Sequence, residues 1–439
     1  MEKTKVLNKH QKKAWYFYDW ANSAYTTTVI TVFLGPYLTS IANNAANNGY
    51  LNILGMNIFA NSLFAYVISI SVLFQFLIMP PVSAIADKLG NNKFLMGLFA
   101  YLGAFATILM YYLNGDNYIF GSILLIISNV AFGTSVVLYN SFLTYISNHE
   151  DRDSTSSKGW AVGYLGAAVF LGLNLFFVQN AEKYGFTMGE AVRICLMTAG
   201  IWWAVFTIIP LWGLKSLRNS TKLQFKHIFS SFQEIKSTLK SIRTHKITFQ
   251  FLIAYLLYND GIQAVIALAA TFGNIELKLG NDVLISAILL VQFVAFIGSI
   301  LFNYLSKYTS NKIALLIGIL IWTFAIVYAY GWLYTETGFY ILSIIIGLVL
   351  GGTQSISRSV FSQLIPYGKE AEYFSFYELT DRGTSWLGTM FFALSLQFTN
   401  SYRFAILSLI LFFFIGLILL YKTDIKKGIE EIKLINGVK

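Results

Sequence analysis

Residues 58–113 read IFANSLFAYVISISVLFQFLIMPPVSAIADKLGNNKFLMGLFAYLGAFATILMYYL. Two apolar runs, 58–80 and 94–113, flank a short polar link that holds Asp87, Lys88 and Lys93. Each run is long enough for a helix that crosses the hydrocarbon core, which takes about 20 residues. The link is too short for a domain. An apolar run, a basic link and a second apolar run describe a chain that crosses a membrane and turns straight back.

The pattern extends along all 439 residues. Twelve runs qualify: 15–41, 58–80, 94–113, 119–147, 160–180, 191–214, 247–272, 283–306, 313–334, 340–366, 375–398 and 401–421. They are continuous rather than alternating over about ten residues, which excludes a β-barrel. Charged residues make up 12% of the chain, against about 25% in soluble proteins. A soluble enzyme, a disordered chain and a disulfide-stapled domain are excluded; an all-α membrane protein remains. The single cysteine, Cys195, cannot form an intramolecular disulfide or a zinc cluster. His10, His149, His227 and His245 all lie outside the runs. There is no phosphate-cradling glycine loop. No catalytic residue, metal or cofactor is expected. The first run, about 27 residues long and containing Asp19, is too long for the 7–15-residue core of a signal peptide and reads as a membrane helix.

Lysine and arginine set the orientation. With the N-terminus inside, the inner tails and links carry 25 of these residues, and the outer side only Lys183 and Lys278. Both termini are therefore expected in the cytosol, at the cell (inner) membrane. The asymmetry accounts for the net charge of +10 without nucleic acid: the basic residues face lipid headgroups. The link 215–246 holds eight basic residues and divides the spans six and six. The expected organisation is an N-terminal half (1–214), a basic cytosolic linker (215–246) and a C-terminal half with its tail (247–439). Stretch 222–245 has the alternation of an amphipathic surface helix.

The halves read as repeats. Asp87–Lys93 falls on Ser306–Lys312 at an offset of 219, and at the same offset Phe132-Gly133-Thr134 meets Gly351-Gly352-Thr353. Tyr164-Leu165-Gly166 meets Trp386-Leu387-Gly388 at 222.

An ionisable side chain at the bilayer centre costs about 2.5–3.5 kcal/mol on insertion scales, so such residues face an interior. Span 1 places Asp19, Asn22, Ser23 and Thr26 on one helical face, and span 7 places Asn259, Asp260 and Gln263 together. Span 10 offers Gln354 and Arg358; span 11 offers Glu378, Asp381 and Arg382. By depth, Asp260 and Arg358 fall near a substrate, with Asn259, Gln263, Gln354, Asp19 and Asn22 as further substrate- or ion-binding candidates. Glu378, Asp381 and Arg382 fall near the cytosol and read as a gate. Plainer readings stand beside these. Glu378 and Asp381 suit the N-terminal dipole of a helix, Glu378–Arg382 is an ordinary i,i+4 pair, and Asp19 has Lys12 and Lys13 nearby as structural counter-charges. Arg358 suits either a counter-ion or an anion site.

These residues carry a resemblance. SAIADKLGNNK (83–93) resembles the signature between helices 2 and 3 of the major facilitator superfamily, G-x-x-x-D-[RK]-x-G-x-x-[RK]. Asp87, Lys88, Gly90 and Lys93 match and, by the resemblance, are gating candidates; Ser83 replaces the leading glycine, and the second copy has Ser306 in place of the acid. YDWANSAYTTTV (18–29), YNDGIQAVIALAATFG (258–273), GGTQSISRSVFSQLIP (351–366) and GKEAEYFSFYE (368–378) together resemble its vacuole effluxer-like branch, named for autophagy-related amino-acid exporters of fungal vacuoles and found also in bacteria. The resemblance implies twelve transmembrane helices in two six-helix pseudo-repeats, with spans 1, 4, 7 and 10 around a central cavity and alternating access by rocking. It also implies that Asp87 and Lys88 meet the start of span 11 near Asp381 and Arg382 when the cytosolic side is closed. The expected function is secondary transport of a small polar solute, an amino acid by the resemblance, with efflux and proton coupling as its finer expectations. A monomer in the bilayer is expected. The alternatives are a transporter-fold sensor or scaffold without transport and a membrane-embedded enzyme.

Overall fold

The computed structural model describes residues 2–53, 55–216, 242–383 and 385–437. Each of the twelve apolar runs is helical over its described residues but for a few, mostly at the ends; Ile58 and Phe59, at the start of the second, are extended. Ten helices among the described residues are long and apolar enough to cross a membrane. The first run is covered by Glu2–Ala24, a π-helical stretch Tyr25–Phe33 and Leu34–Ala45. The eleventh is covered by Glu370–Gly383 and Ser385–Thr399. The remaining helices bear out the fold class as expected, with ends displaced into the polar links. Span 2, for example, runs Leu63–Leu89 through Pro80 and Pro81, and span 5 starts at Arg152 rather than 160.

Capping explains several of these ends. The Thr187 hydroxyl accepts from the Glu190 amide at 3.3 Å, and the Glu190 carboxylate accepts from the Thr187 amide at 2.9 Å, a reciprocal cap that starts span 6 at Met188. Ser310 and Thr335 cap spans 9 and 10 in the same sense, accepting from Ile313 and Gly338. Gly90 stops span 2. It takes φ +69°, a left-handed conformation that any side chain would strain, and its amide reaches back to the Ala86 carbonyl.

Packing divides the described residues into two compact units, one of Met1–Asn140 with Gly166–Gln224 and one of Ser141–Leu165 with Phe225–Lys439. The boundary falls inside the helix Arg152–Gln179. Most of the basic link at which the sequence suggests a division lies outside the described residues, as does the amphipathic stretch expected over 222–245 up to residue 241.

In the first unit, spans 3 and 6 pack through small residues. Gly103 lies beneath Trp203, and Gly200 sits against the Ala104 carbonyl. The second unit brings spans 8 (Asn281–Tyr308) and 10 (Glu336–Gln363) closer still. A methyl group at Gly351 would overlap the Ala295 carbonyl oxygen, and one at Gly298 that of Leu348. Hydrocarbon provides no solvophobic drive between helices, so close backbone approach at small residues supplies the dispersion contact instead.

Two described elements are not membrane helices. A hairpin, β1 (Tyr50–Ile53) and β2 (Met56–Phe59), occupies the link after span 1, with Asn52 opposite Asn57 and Gly55 at φ +81° in its turn. A C-terminal amphipathic helix, Ile425–Ile435, buries Ile425 and Ile432 and lays Gly428 against Ile247 and Leu364.

Overpacking a tight helix contact costs about 1–3 kcal/mol. Gly351→Ala is therefore expected to lower the melting temperature of the detergent-solubilised protein by several degrees. Gly331→Ala, with no neighbour within 4 Å of the added carbon, is expected to leave it unchanged.

Candidate functional site

The second unit holds a hydrogen-bonded polar cluster inside its helices. Tyr255, Asn259 and Gln263 follow one another at i, i+4 and i+8 along the span 7 helix Lys246–Ile275, so they share a face. All three donate to Oδ1 of Asp381 on the helix Glu370–Gly383, at 3.2, 2.6 and 3.3 Å. Gln354 of span 10 donates to Asn259 Oδ1 at 2.8 Å. The Tyr255 ring stacks on Tyr377 with centroids 4.3 Å apart, and the Tyr258 hydroxyl bonds Ser357 Oγ at 2.6 Å. Asn259 and Tyr255 are fully buried, whereas Asp381 and Gln263 are half-buried. Among Tyr255, Asn259, Gln263, Gln354 and Asp381 the only charge is negative.

Asp260, one residue along, faces elsewhere. It lies at the centre of its helix, 1% exposed, and neither carboxylate oxygen has a hydrogen-bond partner among the described residues. The Gly388 backbone amide faces the carboxylate without closing a bond of normal geometry. Gly388 also lets the two helices meet, because a methyl group there would lie 2.7 Å from the Ala264 side chain and 3.2 Å from Asp260 Oδ2.

Arg358 of span 10 is engaged differently. Its Nε donates to Ser156 Oγ at 3.0 Å, its Nη2 to the Ser156 carbonyl at 2.8 Å, and its guanidinium lies over the Trp160 ring. Next to it the Asp153 carboxylate accepts from Ser359, from Asn311 at 2.9 Å and from Gln363 at 3.3 Å. Arg152 donates to the Ser362 carbonyl at 3.0 Å. Arg152, Asp153, Ser156 and Trp160 were not singled out from sequence. They lie in or beside a polar link whose charges read as orientation signals, and only the fold shows that they pack on span 10. Glu378 pairs with Arg382 at 3.3 Å, the i,i+4 pair read from the sequence.

In the first unit, Asp19 accepts from the Tyr139 hydroxyl at 2.6 Å, and Tyr139 stacks on Trp15. Asn22 is buried, and its Nδ2 has no partner among the described residues. Thr26 returns its hydroxyl to the Ser23 carbonyl of its own helix. Asp87 is buried and accepts from Asn92 at 3.4 Å, while Lys93 points into a groove between spans 3 and 6. A second polar node was not legible: Gln75 donates to the Asn129 carbonyl at 2.8 Å, and Asn129 to Ser71 Oγ at 2.6 Å. A lone glutamine in an apolar run gives no sign of its partner on another helix.

The model of vacuole effluxer Atg22-like proteins matches residues 7–433. The chain belongs to that family. An uncharacterized MFS-type transporter of Bacillus subtilis, YxiO, is 28% identical over 93% of this chain and 94% of its own. Autophagy-related protein 22 of Kluyveromyces lactis is 27% identical over 96% and 95%, and that of Saccharomyces cerevisiae S288c 26% over 97% and 94%. Among solved structures, the major facilitator transporter FucP in its outward conformation superposes with a TM-score of 0.67 at 15% identity, covering 95% of this chain and 98% of FucP. The proton:xylose symporter XylE superposes with 0.66 at 12%, covering 95% and 94%. This family member is thus an integral membrane protein with the major facilitator fold, of an MFS-type transporter family.

A histidine outside the spans has a shifted equilibrium. His149, in the link between spans 4 and 5, is lowered to about 4 by burial, then by the charges of Arg152 and Lys433. A histidine that resists protonation when folded but accepts it near 6.5 when unfolded adds stability that is complete above about pH 6.5 and is lost as pH falls towards 4. The melting temperature is expected to drop across that window, and His149→Gln is expected to remove part of the slope while leaving the value at pH 7.5 close to wild type.

Proposed function

We propose that this family member is a secondary transporter that exports a small polar solute bearing a protonated amine, an amino acid being the foremost candidate, by alternating access and in exchange for protons. The observation that carries this reading is the Asp381 cluster. A half-buried carboxylate held by one phenol and two amides can pass those donors to an incoming ammonium group, since charge-assisted bonds are about twice as strong as neutral ones. The amides of Asn259, Gln263 and Gln354 then suit the solute's carboxylate or carbonyl oxygens. An organic anion or a dicarboxylate fits poorly beside the one negative charge. The vacuole effluxer description of the family supports export as the direction.

Asp260 is the proposed proton carrier. An ionised carboxylate buried without partners costs several kcal/mol, whereas its neutral form does not. A conformational change that wets the span 7–span 11 seam reverses that preference and releases the proton. No side chain in this scheme acts as an acid–base pair on a bond, so the chain is proposed to transport and not to catalyse. By the lysine and arginine split, both termini are proposed to be cytosolic, at the cell membrane.

Reconstituted protein is expected to catalyse counterflow of neutral or basic amino acids and not of glutamate or glucuronate. Asp381→Asn is expected to reduce that exchange at least tenfold. Asp260→Asn is expected to keep exchange but lose accumulation driven by a pH gradient. The reading fails if no amine-bearing solute exchanges under any gradient; undiminished gradient-driven accumulation by Asp260→Asn removes the proton role alone.

A further inference from the structure

We infer that the groove between spans 3 and 6 binds one anionic phospholipid, with its phosphate at Lys93 and an acyl chain along Gly97 and Leu98. The groove has a volume of about 530 Å³. One end is polar, lined by Asn91, Lys93 and Ser216; the other is apolar, lined by Leu98, Tyr101 and Leu211. Lys93 and Tyr101 are eight residues apart, or about 12 Å along the helix at 1.5 Å per residue. That length matches a headgroup followed by the upper part of a chain.

Gly97 forms the floor. A methyl group there would lie 2.9 Å from Leu211 Cδ2, so the absence of a side chain lets Leu211 of span 6 close down on span 3 and form the bottom of the trough. Phe94, Leu98 and Tyr101 are 65%, 51% and 40% exposed. They flank the trough with apolar surface that no described residue covers.

Charge selects the headgroup. Lys93 makes no hydrogen bond or ion pair among the described residues. Among the described residues the groove lining holds no acid, and the nearest one in sequence, Asp87, is buried with Asn92 donating to it. Exposed Lys215 precedes Ser216 at the same end. A free cation beside two hydrogen-bonding side chains suits a phosphodiester that carries a net charge, and gives nothing extra to the choline of a zwitterionic lipid.

Native mass spectrometry of the full chain, titrated with phosphatidylglycerol and with phosphatidylcholine of the same chains, tests this. Wild type is expected to bind one phosphatidylglycerol about fivefold more tightly, the size of one lysine–headgroup attraction. Lys93→Gln is expected to bring the two lipids close to parity, Lys93→Arg to retain the preference, and Lys422→Gln, at the end of span 12, to leave it intact. Equal binding of both lipids by wild type overturns the inference, as does an unchanged preference in Lys93→Gln. An equal loss in Lys422→Gln would show diffuse attraction rather than a site. Displacement by millimolar glycerol phosphate, which lacks chains, would show a free-phosphate site and overturn the lipid assignment.

Discussion

A polar group inside the bilayer has no water to turn to, and every other feature of this structure answers to that constraint. Backbone amides and carbonyls bond within helices, which is why each apolar run is helical. Hydroxyls do the same: Ser83, Thr107, Thr134 and Thr207 return their protons to carbonyls one turn earlier. Side chains with more than one polar atom cannot be satisfied by their own turn. They bond between helices, as in the Asn129–Ser71 and Asn259–Asp381 pairs. The polar clusters are therefore also the points at which helices are registered against one another.

Where no polar group intervenes, helices are held by shape. Dispersion falls steeply with distance, so contacts at Gly298, Gly351 and Gly200 hold helices that have no hydrophobic reason to leave lipid. The same device seats Leu211 on Gly97. A glycine opposite backbone draws two helix axes together, whereas Gly97 faces a side-chain tip and seats Leu211 at the bottom of a groove. The difference lies in what stands across from it, which no single sequence displays.

That is also the limit of what could be read in advance. The twelve spans were legible because apolar length is a property of one segment. The face shared by Tyr255, Asn259 and Gln263 follows from helical periodicity alone. Which helix it meets does not. Asp381 reads in sequence as part of a gate with Glu378 and Arg382, yet its Oδ1 lies 2.6 Å from the Asn259 amide nitrogen. Asn259 and Asp260 read as neighbours in one site, but adjacent residues on a helix point about 100° apart. One meets Asp381 and the other Gly388. The hairpin at 50–59 and the C-terminal helix went unread because neither is apolar enough to stand out beside membrane spans, and the helix shows its apolar stripe only against Ile247 and Leu364.

The separation of the two carboxylates bears on coupling. If a solute's ammonium and a proton competed for one carboxylate, exchange would follow from competition alone and would need no conformational link. Here Asp381 is supplied with donors, and Asp260 has none among the described residues. Asp381 bonds the Asn259 face of the span 7 helix, about 100° from the direction of Asp260, and Asp260 is pressed against Gly388 by helix packing. In the proposed scheme, coupling passes through movement of span 7 against span 11, because that movement changes the surroundings of Asp260 at Gly388. The small residues at this seam, Gly388 and Ala264, let the helices lie close, and in the proposed scheme they part without tearing an interlocked side-chain contact.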